Sequence, residues 1–172
     1  MKTVAFFVGL AAVALYLLGY LQKRRKSIMV FNVTSRGLYI LQYILLGAYE
    51  GAVLDIAGIL SSLLAGKKQN AFIQKHIKLV FICVNILIVI MGLTVYKDLY
   101  SLLPIAGVLL HTGAFWINDE KRIRQISLAG CPCWFIYNFV SGAYGSCIGD
   151  VLSAVSIVIS MVRYDFHEKN DR

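Results

Sequence analysis

The chain has 172 residues, of which 59% are hydrophobic and 15% are charged, and its formal net charge is +8. A soluble domain of this size cannot hide so much apolar surface, so the composition excludes one. The basic residues lie in short runs between apolar segments, and this placement argues against the binding of nucleic acid.

Seven apolar segments follow one another, most of them close to the length that crosses a bilayer as a helix. We predict spans at residues 3–22, 29–49, 52–66, 79–96, 100–117, 125–142 and 147–164. The first is not expected to be a cleaved signal peptide, because a basic run follows it and no clear cleavage site is evident. The third is short, so it thins the bilayer or begins nearer Glu50. The short loops leave no room for a soluble domain, so we predict an all-α membrane protein.

The placement of the basic residues predicts the orientation in the membrane. With seven spans, fourteen basic residues fall on one side and only Lys2 and Lys97 fall on the other. Cytoplasmic loops carry the excess of lysine and arginine, so the N-terminus is expected outside and the C-terminus in the cytoplasm. The fourteen are Lys23, Arg24, Arg25, Lys26, Lys67, Lys68, Lys75, Lys78, Lys121, Arg122, Arg124, Arg163, Lys169 and Arg172.

An internal repeat relates the two halves of the chain. Residues 47–55 read Gly-Ala-Tyr-Glu-Gly-Ala-Val-Leu-Asp, and residues 142–150, which lie 95 positions later, read Gly-Ala-Tyr-Gly-Ser-Cys-Ile-Gly-Asp. At this offset, segments 36–66 and 131–161 share five identities, which cluster around one turn and one carboxylate. We therefore predict that spans 1–3 and 5–7 are two copies of one unit.

Three spans are an odd number, so two copies joined directly would point in opposite directions. The fourth span, which is almost entirely apolar, is predicted to be a linker that restores the orientation. This gives a first triple-helix bundle at residues 1–66, a loop and linker helix at 67–99, and a second bundle with a tail at 100–172. Parallel repeats related by an axis along the membrane normal are one known transporter design.

Two aspartates at equivalent positions, Asp55 and Asp150, lie just inside predicted spans. A carboxylate within a membrane helix costs about 2.5–3.5 kcal/mol on insertion scales, which makes it a candidate functional site. One interpretation is an outer gate that the two aspartates form together with Tyr49 and Tyr144. The alternative is an aspartate favoured by the helix dipole, with the tyrosines in an interfacial aromatic belt.

A stripe of aromatic and amide side chains follows one face of two spans. Trp134 and Asn138 share a face with Cys131 and Gly142, because they are spaced by three or four residues. Such a stripe suits a small polar metabolite, and the alternative is packing between helices. The predicted substrate-binding residues are Tyr39, Gln42, Tyr43, Trp134 and Asn138.

Two further candidates are ionisable. Arg36 would bind an anionic substrate or extend to the cytoplasmic headgroups, and His111 would relay protons or pack through a hydrogen bond. Cys131 and Cys133 flank Pro132 and could bind a soft metal, but no second cluster of cysteine and histidine is present, so we predict no metal site. Because no nucleotide-binding, zinc-protease or nucleophile motif occurs, neither an enzyme nor a cofactor is predicted.

The stretches 102–107 (LLPIAG) and 131–139 (CPCWFIYNF), with Gly142, the later Arg163 and the earlier 45–49 (LLGAY), resemble the YgjV-type family of small bacterial inner-membrane proteins. This resemblance covers nearly the whole chain. It implies a location in the bacterial cytoplasmic membrane and brings no firm function.

The chain is also distantly similar to the SWEET sugar transporters, their half-size relatives and transporters of the nicotinamide riboside type. These proteins have triple-helix repeats, usually arranged 3+1+3. The spacing of Tyr49 to Asp55, and of Tyr144 to Asp150, is similar to that of the outer gate in the half-size transporters. This resemblance implies a SWEET-like scaffold with a pathway between the bundles.

The chain departs from that pattern at the places of the gate arginine, Val53 and Ile148, and of a deeper asparagine, Ser62 and Ile157. Paired hinge prolines occur only in the second half. We therefore expect a transporter of a small polar metabolite in the lipid bilayer. The alternative is a non-transporting receptor, assembly factor or partner-binding protein on the same scaffold. The sequence leaves open whether the chain forms a homo-oligomer.

Overall fold

The computed structural model describes residues 1–20, 25–114, 116, 117 and 119–166, and every regular element in these ranges is helical. A 3₁₀ turn at Leu99–Ser101 precedes the sixth α-helix, and a π-helical turn at Val162–Phe166 extends the last. The α-helices of the described ranges are α1 (Lys2–Tyr20), α2 (Arg25–Leu46), α3 (Tyr49–Gly66), α4 (Ala71–Lys75), α5 (Ile77–Thr94), α6 (Leu102–Ala114), α7 (Glu120–Val140) and α8 (Tyr144–Met161).

The predicted all-helical class is confirmed, and each predicted span coincides with a helix. The third span begins at Tyr49, which gives α3 18 residues. The sequence did not indicate α4, a single turn whose N-cap Asn70 accepts a hydrogen bond from the backbone N–H of Phe72 at 3.0 Å. Four residues predicted to define the orientation, Lys23, Arg24, Lys169 and Arg172, lie outside the described residues.

By length and composition, three helices in the described ranges are able to cross a membrane: α3, α5 and α8 with its extension to Asp165. The apolar segments Lys2–Leu18 and Leu99–Ala114 are shorter. Both α2 and α7 have charged residues in their first turns, Arg25 and Lys26 in α2 and Glu120, Lys121 and Arg122 in α7, so charge is concentrated at this end of each helix. The seven-span count, the two-bundle division and the orientation stay predictions.

The junction between α2 and α3 has the same backbone geometry as the junction between α7 and α8. Gly47 has φ 72° and Gly142 has φ 73°, a left-handed conformation that glycine adopts without a steric penalty. Ala48 N–H donates to the Tyr43 carbonyl at 2.9 Å, and Ala143 N–H donates to the Asn138 carbonyl at 2.8 Å. Each junction is therefore a Schellman motif that caps one helix and starts the next.

The contacts between helices follow a pattern that maps onto itself when the halves are exchanged. Within each half the first helix packs on the second and the second on the third: α1 on α2 on α3, and α6 on α7 on α8. Across the halves, α1 packs on α8 and α3 packs on α6. Exchanging α1 with α6, α2 with α7 and α3 with α8 leaves this list unchanged.

Helix α5 stands outside this pattern and packs on α3 and α6. Its inner face is narrow and consists of Val84, Ile88 and Gly92. Most of its remaining surface is apolar, and several large side chains are exposed, as Ile86 and Ile90 illustrate at 52% and 54%. Such a surface is stable against lipid and would aggregate in water.

Helices α1 and α8 cross at very close range. A Cβ atom built on Gly145 would lie 2.7 Å from the carbonyl oxygen of Phe6 and 3.1 Å from the amide nitrogen of Leu10. Both neighbours are backbone atoms and cannot rotate away. Small residues at helix crossings are typical of membrane proteins, where close van der Waals contact drives association.

Candidate functional site

A polar cavity of about 70 Å³ lies among the helices of the two halves, α1, α2 and α3 on one side of α5 in the sequence and α6, α7 and α8 on the other. Within the part of the chain that the structure describes, α5 contributes no lining residue. The predicted binding residues Tyr39, Tyr43, Trp134 and Asn138 all line the cavity. The lining consists of Tyr16, Arg36, Tyr39, Tyr43, Asp55, His111, Trp134, Asn138, Ser146, Gly149, Asp150 and Ser153.

The volume of this cavity limits what it holds in this conformation. A buried water needs about 10–15 Å³ of such space, so the cavity has room for a few waters or one small head group. Sites for drug-sized ligands are usually about 300–1,000 Å³. A larger metabolite therefore requires the helices to move apart.

In the lining of the cavity, two residues at equivalent positions of the two halves meet. Tyr43 donates a hydrogen bond from its hydroxyl to Asn138 Oδ1 at 2.7 Å, and the two residues are 95 positions apart. The Tyr43 ring also stacks on Trp134, with centroids 6.4 Å apart. A residue that touches its own repeat equivalent lies at or near the axis that relates the halves.

A second pair of contacts repeats this relation with different chemistry. Ser146 Oγ donates to Gln42 Oε1 at 2.5 Å, and Gly51 N–H donates to the Tyr137 hydroxyl at 2.8 Å. Gln42 is equivalent to Tyr137, and Gly51 is equivalent to Ser146. Gln42 is fully buried and lies beside the cavity rather than in its lining. Gln42 was predicted to bind the substrate, and in the structure its side chain contributes to the packing between helices, the alternative given for this stripe.

In the first half of the chain, the aspartate has its own counter-charge. Arg36 Nη1 lies 2.6 Å from Asp55 Oδ1, and the two side chains are 12% and 6% exposed. The guanidinium fits because residue 58 is glycine: a Cβ atom there would lie 2.5 Å from Arg36 Nη1. Arg36 binds the aspartate that its own half supplies, an arrangement that neither prediction for Arg36 included.

In the second half, Asp150 accepts a hydrogen bond from Asn138 Nδ2 at 2.7 Å. Among the described residues it forms no ion pair. The residue equivalent to Arg36 is Cys131, and the residue equivalent to Gly58 is Ser153. The two carboxylates of the repeat therefore differ in their partners.

His111 lines the cavity from α6. Its Nε2 lies 2.9 Å from the Ser127 carbonyl oxygen and 3.9 Å from Cys131 Sγ. Gly130 makes room for the ring, because a Cβ atom there would lie 2.6 Å from the imidazole. Within the described ranges no group of three metal-ligating side chains occurs. The arrangement matches the packing alternative for His111 and leaves a role in proton transfer as a prediction.

The two tyrosines predicted as gate residues lie on the outer surface. Tyr49 and Tyr144 are both 54% exposed. The Lys97 ammonium lies over the Tyr49 ring at 5.7 Å, and Tyr144 packs edge-on against Phe139. Six residues along a helix correspond to about one and two-thirds turns, so each tyrosine points away from the aspartate that follows it. The structure does not bring these pairs together.

One buried polar cluster was not among the predicted site residues. Glu50 is 6% exposed, and its carboxylate lies 3.5 Å from the Ser101 hydroxyl and 3.4 Å from Lys97 Nζ. This cluster ties the start of α3 to the turn before α6. A comparison of the two repeats does not reveal this cluster, because the residue equivalent to Glu50 is Gly145. Tyr16 was not among the predicted site residues either, and it lines the cavity from α1.

The comparison with protein families identifies one match. The family model Imp-YgjV, described as a bacterial inner membrane protein, matches residues 3–168. This match confirms the resemblance that the sequence motifs indicated. Neither the search of curated proteins nor the search of solved structures found a match. The similarity to the SWEET transporters stays a prediction.

Proposed function

This chain belongs to the Imp-YgjV family of bacterial inner membrane proteins, and from this premise we propose that it is a carrier of a small polar metabolite rather than an enzyme. Two triple-helix bundles, α1–α3 and α6–α8, would rock against each other in a SWEET-like 3+1+3 arrangement, with α5 as the linker. The N-terminus would lie outside and the C-terminus in the cytoplasm.

The polar cavity between the proposed bundles is the observation that carries this proposal. In a membrane protein, buried polar and charged groups are costly and usually mark a substrate or ion pathway. Here an arginine, two aspartates and a histidine line one cavity together with tyrosines and a tryptophan. The self-matching contacts of the helices support an axis through this cavity.

The contacts across the axis suggest what must change when the bundles rock. The hydrogen bonds Tyr43–Asn138, Ser146–Gln42 and Gly51–Tyr137 each join one proposed bundle to the other. The net contribution of each such bond is about 0.5–1.5 kcal/mol. Breaking a few of them therefore costs an amount that differential binding of a substrate supplies.

The alternative function, a non-transporting receptor or partner-binding protein, is favoured by one observation. The cavity of about 70 Å³ is too small for most metabolites as it stands. Under this alternative the cavity never widens, and its hydrogen bonds serve only to hold the helices together. The two functions therefore differ in whether the lining becomes accessible to water.

A flux assay tests the proposed function directly. The purified protein is reconstituted into proteoliposomes, and the uptake of a panel of labelled small polar metabolites is compared with that of empty vesicles. Trp134→Ala removes an aromatic wall of the cavity, and we expect it to reduce the flux of the transported metabolite by about tenfold or more. Tyr49→Ala is the matched control, because it removes an aromatic side chain that lies outside the cavity.

Flux that survives Trp134→Ala and fails in Tyr49→Ala would contradict a pathway through the cavity. A double variant, Asp55→Asn with Asp150→Asn, tests whether the aspartates take part. Unchanged flux in the double variant would eliminate them from the gate. A complete absence of flux across the panel would favour the non-transporting alternative.

A further inference from the structure

We propose that the cavity binds a small organic cation of the ammonium class, with Asp150 as its counter-ion. This inference rests on the proposed function, because it names the class of substrate for the same cavity. It follows from a difference between the two halves of the repeat, at positions that the repeat itself aligns.

The first step is the missing counter-charge. Asp55 and Asp150 are repeat equivalents, but of the two only Asp55 forms an ion pair among the described residues, with Arg36 at 2.6 Å. At the position of Arg36 the second half has Cys131, a neutral residue that is 3% exposed. A carboxylate away from bulk water is stable as an anion only when a cation or several donors compensate it. Asn138 provides one donor at 2.7 Å.

The second step is the aromatic surround of the carboxylate. Tyr39, Tyr43 and Trp134 line the same cavity as Asp150. The Tyr39 hydroxyl lies next to the turn that carries Asp150, because a Cβ atom on Gly149 would be 3.1 Å from it. Ammonium groups bind to the faces of tyrosine and tryptophan rings, most strongly when water is excluded. A carboxylate among such rings is the chemistry that recognises an organic cation.

The third step is the exclusion of other ligand classes. An anion would need Arg36, but Asp55 lies 2.6 Å from Arg36 Nη1 and neutralises its charge, and Asp150 would repel the ligand. A hard metal cation needs about six oxygen ligands, and the described residues contain no group of three metal-ligating side chains. A neutral metabolite would bring no counter-charge, so Asp150 would have to take up a proton to lose its own charge. The small volume of the cavity also suits a compact ammonium head group.

Equilibrium binding to the purified full-length protein tests this proposal. The probes are choline and tetramethylammonium, with 3,3-dimethylbutan-1-ol as the neutral carbon isostere of choline and acetate as the anion. Calorimetry and thermal unfolding are expected to show binding of the cations alone. Asp150→Asn is expected to weaken cation binding at least about 30-fold, because it removes the charged partner. Asp119→Asn, at the exposed N-cap of α7, is the matched control.

A graft of the first-half arrangement onto the second half provides an independent test. Cys131→Arg with Ser153→Gly reproduces both Arg36 and the space that Gly58 leaves for its guanidinium. The introduced guanidinium should occupy Asp150 and abolish cation binding while the protein still unfolds cooperatively. Cys131→Ala with Ser153→Gly opens the same space without a charge and should still bind the cations. If the graft variant does not fold, the cation binding measured for Asp150→Asn decides whether Asp150 is the counter-ion.

The outcomes separate this inference from the proposed function. Binding of the cations without any flux would refute the carrier and leave the cation site standing. Flux of a neutral or anionic metabolite that is unaffected by Asp150→Asn would refute the cation site and leave the carrier standing. Equal binding of choline and its neutral isostere, or cation binding that survives Asp150→Asn, would overturn the inference.

Discussion

The two halves of the chain, α1–α3 and α6–α8, share a backbone plan and differ in how they treat the same carboxylate. Both halves end their second helix in a Schellman motif at a glycine with φ near 72°, and both place an aspartate eight residues later. In the first half Arg36 neutralises Asp55 over the space left by Gly58. In the second half the corresponding residues are Cys131 and Ser153. Asp150 instead accepts a hydrogen bond from the side-chain amide of Asn138.

This difference teaches that the same backbone plan in the two halves holds different side chains at equivalent positions of the cavity. The glycine turn fixes where the third helix of each half begins, so both aspartates reach the same cavity. The difference lies at two pairs of equivalent helix positions, Arg36 with Cys131 and Gly58 with Ser153.

The largest effect is expected at the first-half aspartate. Asp55→Asn leaves a buried guanidinium without its partner, so we expect the free energy of unfolding to fall by about 3–5 kcal/mol. Asp150→Asn breaks no ion pair among the described residues, and its effect on stability should be much smaller. Denaturant titration of both variants in bicelles measures the difference. Equal losses would show that the two carboxylates do not differ in the way proposed.

A double variant provides the control for the ion pair. Arg36→Gln with Asp55→Asn removes both charges and leaves two groups that are able to hydrogen-bond to each other. We expect it to recover much of the stability lost in Asp55→Asn, because no unpaired charge stays buried. A double variant that is less stable than Asp55→Asn would contradict the pairing.

The crossing of α1 and α8 should show the next largest effect. Gly145→Ala places a methyl group against the backbone of Phe6 and Leu10, and overpacking of this kind costs about 1–3 kcal/mol. Gly37→Ala is the matched control, because a Cβ atom at that helical position has no neighbour within 4 Å. Thermal unfolding should separate the two, with Gly37→Ala neutral or slightly stabilising. Similar melting temperatures would argue against the close crossing.

The two turn glycines should behave alike. Gly47→Ala and Gly142→Ala force a side chain into a left-handed conformation, which costs about 1–2 kcal/mol in each half. Neither position has a neighbouring atom that a Cβ would meet within 4 Å, so the cost comes from the backbone alone. Measured stabilities of the two variants should agree closely. A large difference would mean that the halves do not share this turn.

The smallest effect is expected at the outer tyrosines. Tyr49→Phe and Tyr144→Phe remove hydroxyl groups from side chains that are 54% exposed, so stability should change by less than about 0.5 kcal/mol. The uptake of the transported metabolite should also stay close to that of the unaltered protein. Lost uptake in either variant would restore the gate role that the sequence predicted and the structure leaves unsupported.

The sequence predicted the helices and the cavity residues better than it predicted the partners of those residues. Apolar segment lengths and the repeated Gly-Ala-Tyr fixed the helix positions, since both are local signals. The pairing of Arg36 with Asp55 depends on how α2 and α3 rotate against each other, which spacing alone does not determine. The predicted gate required Tyr49 and Asp55 to face one site. Two residues that are six positions apart on a helix point to different faces.

The matched contacts across the axis were the least predictable feature. The contacts Gln42–Ser146 and Tyr137–Gly51 occupy equivalent places, yet each residue differs in type from its repeat equivalent. Counting identical residues across the repeat does not detect such pairs, because the residues at equivalent positions differ. They become visible only when the helices are assembled and the contact is compared with its equivalent.

The central claim is that the cavity between the halves is a pathway that opens to water. Cysteines placed at Tyr39 and Asn138, in a protein whose four native cysteines are replaced, report this through labelling by membrane-impermeant thiol reagents. The account predicts that both positions react, and that the side from which they react changes when the transported metabolite is added. Positions that never react from either side, while a cysteine at exposed Tyr49 does, would contradict it.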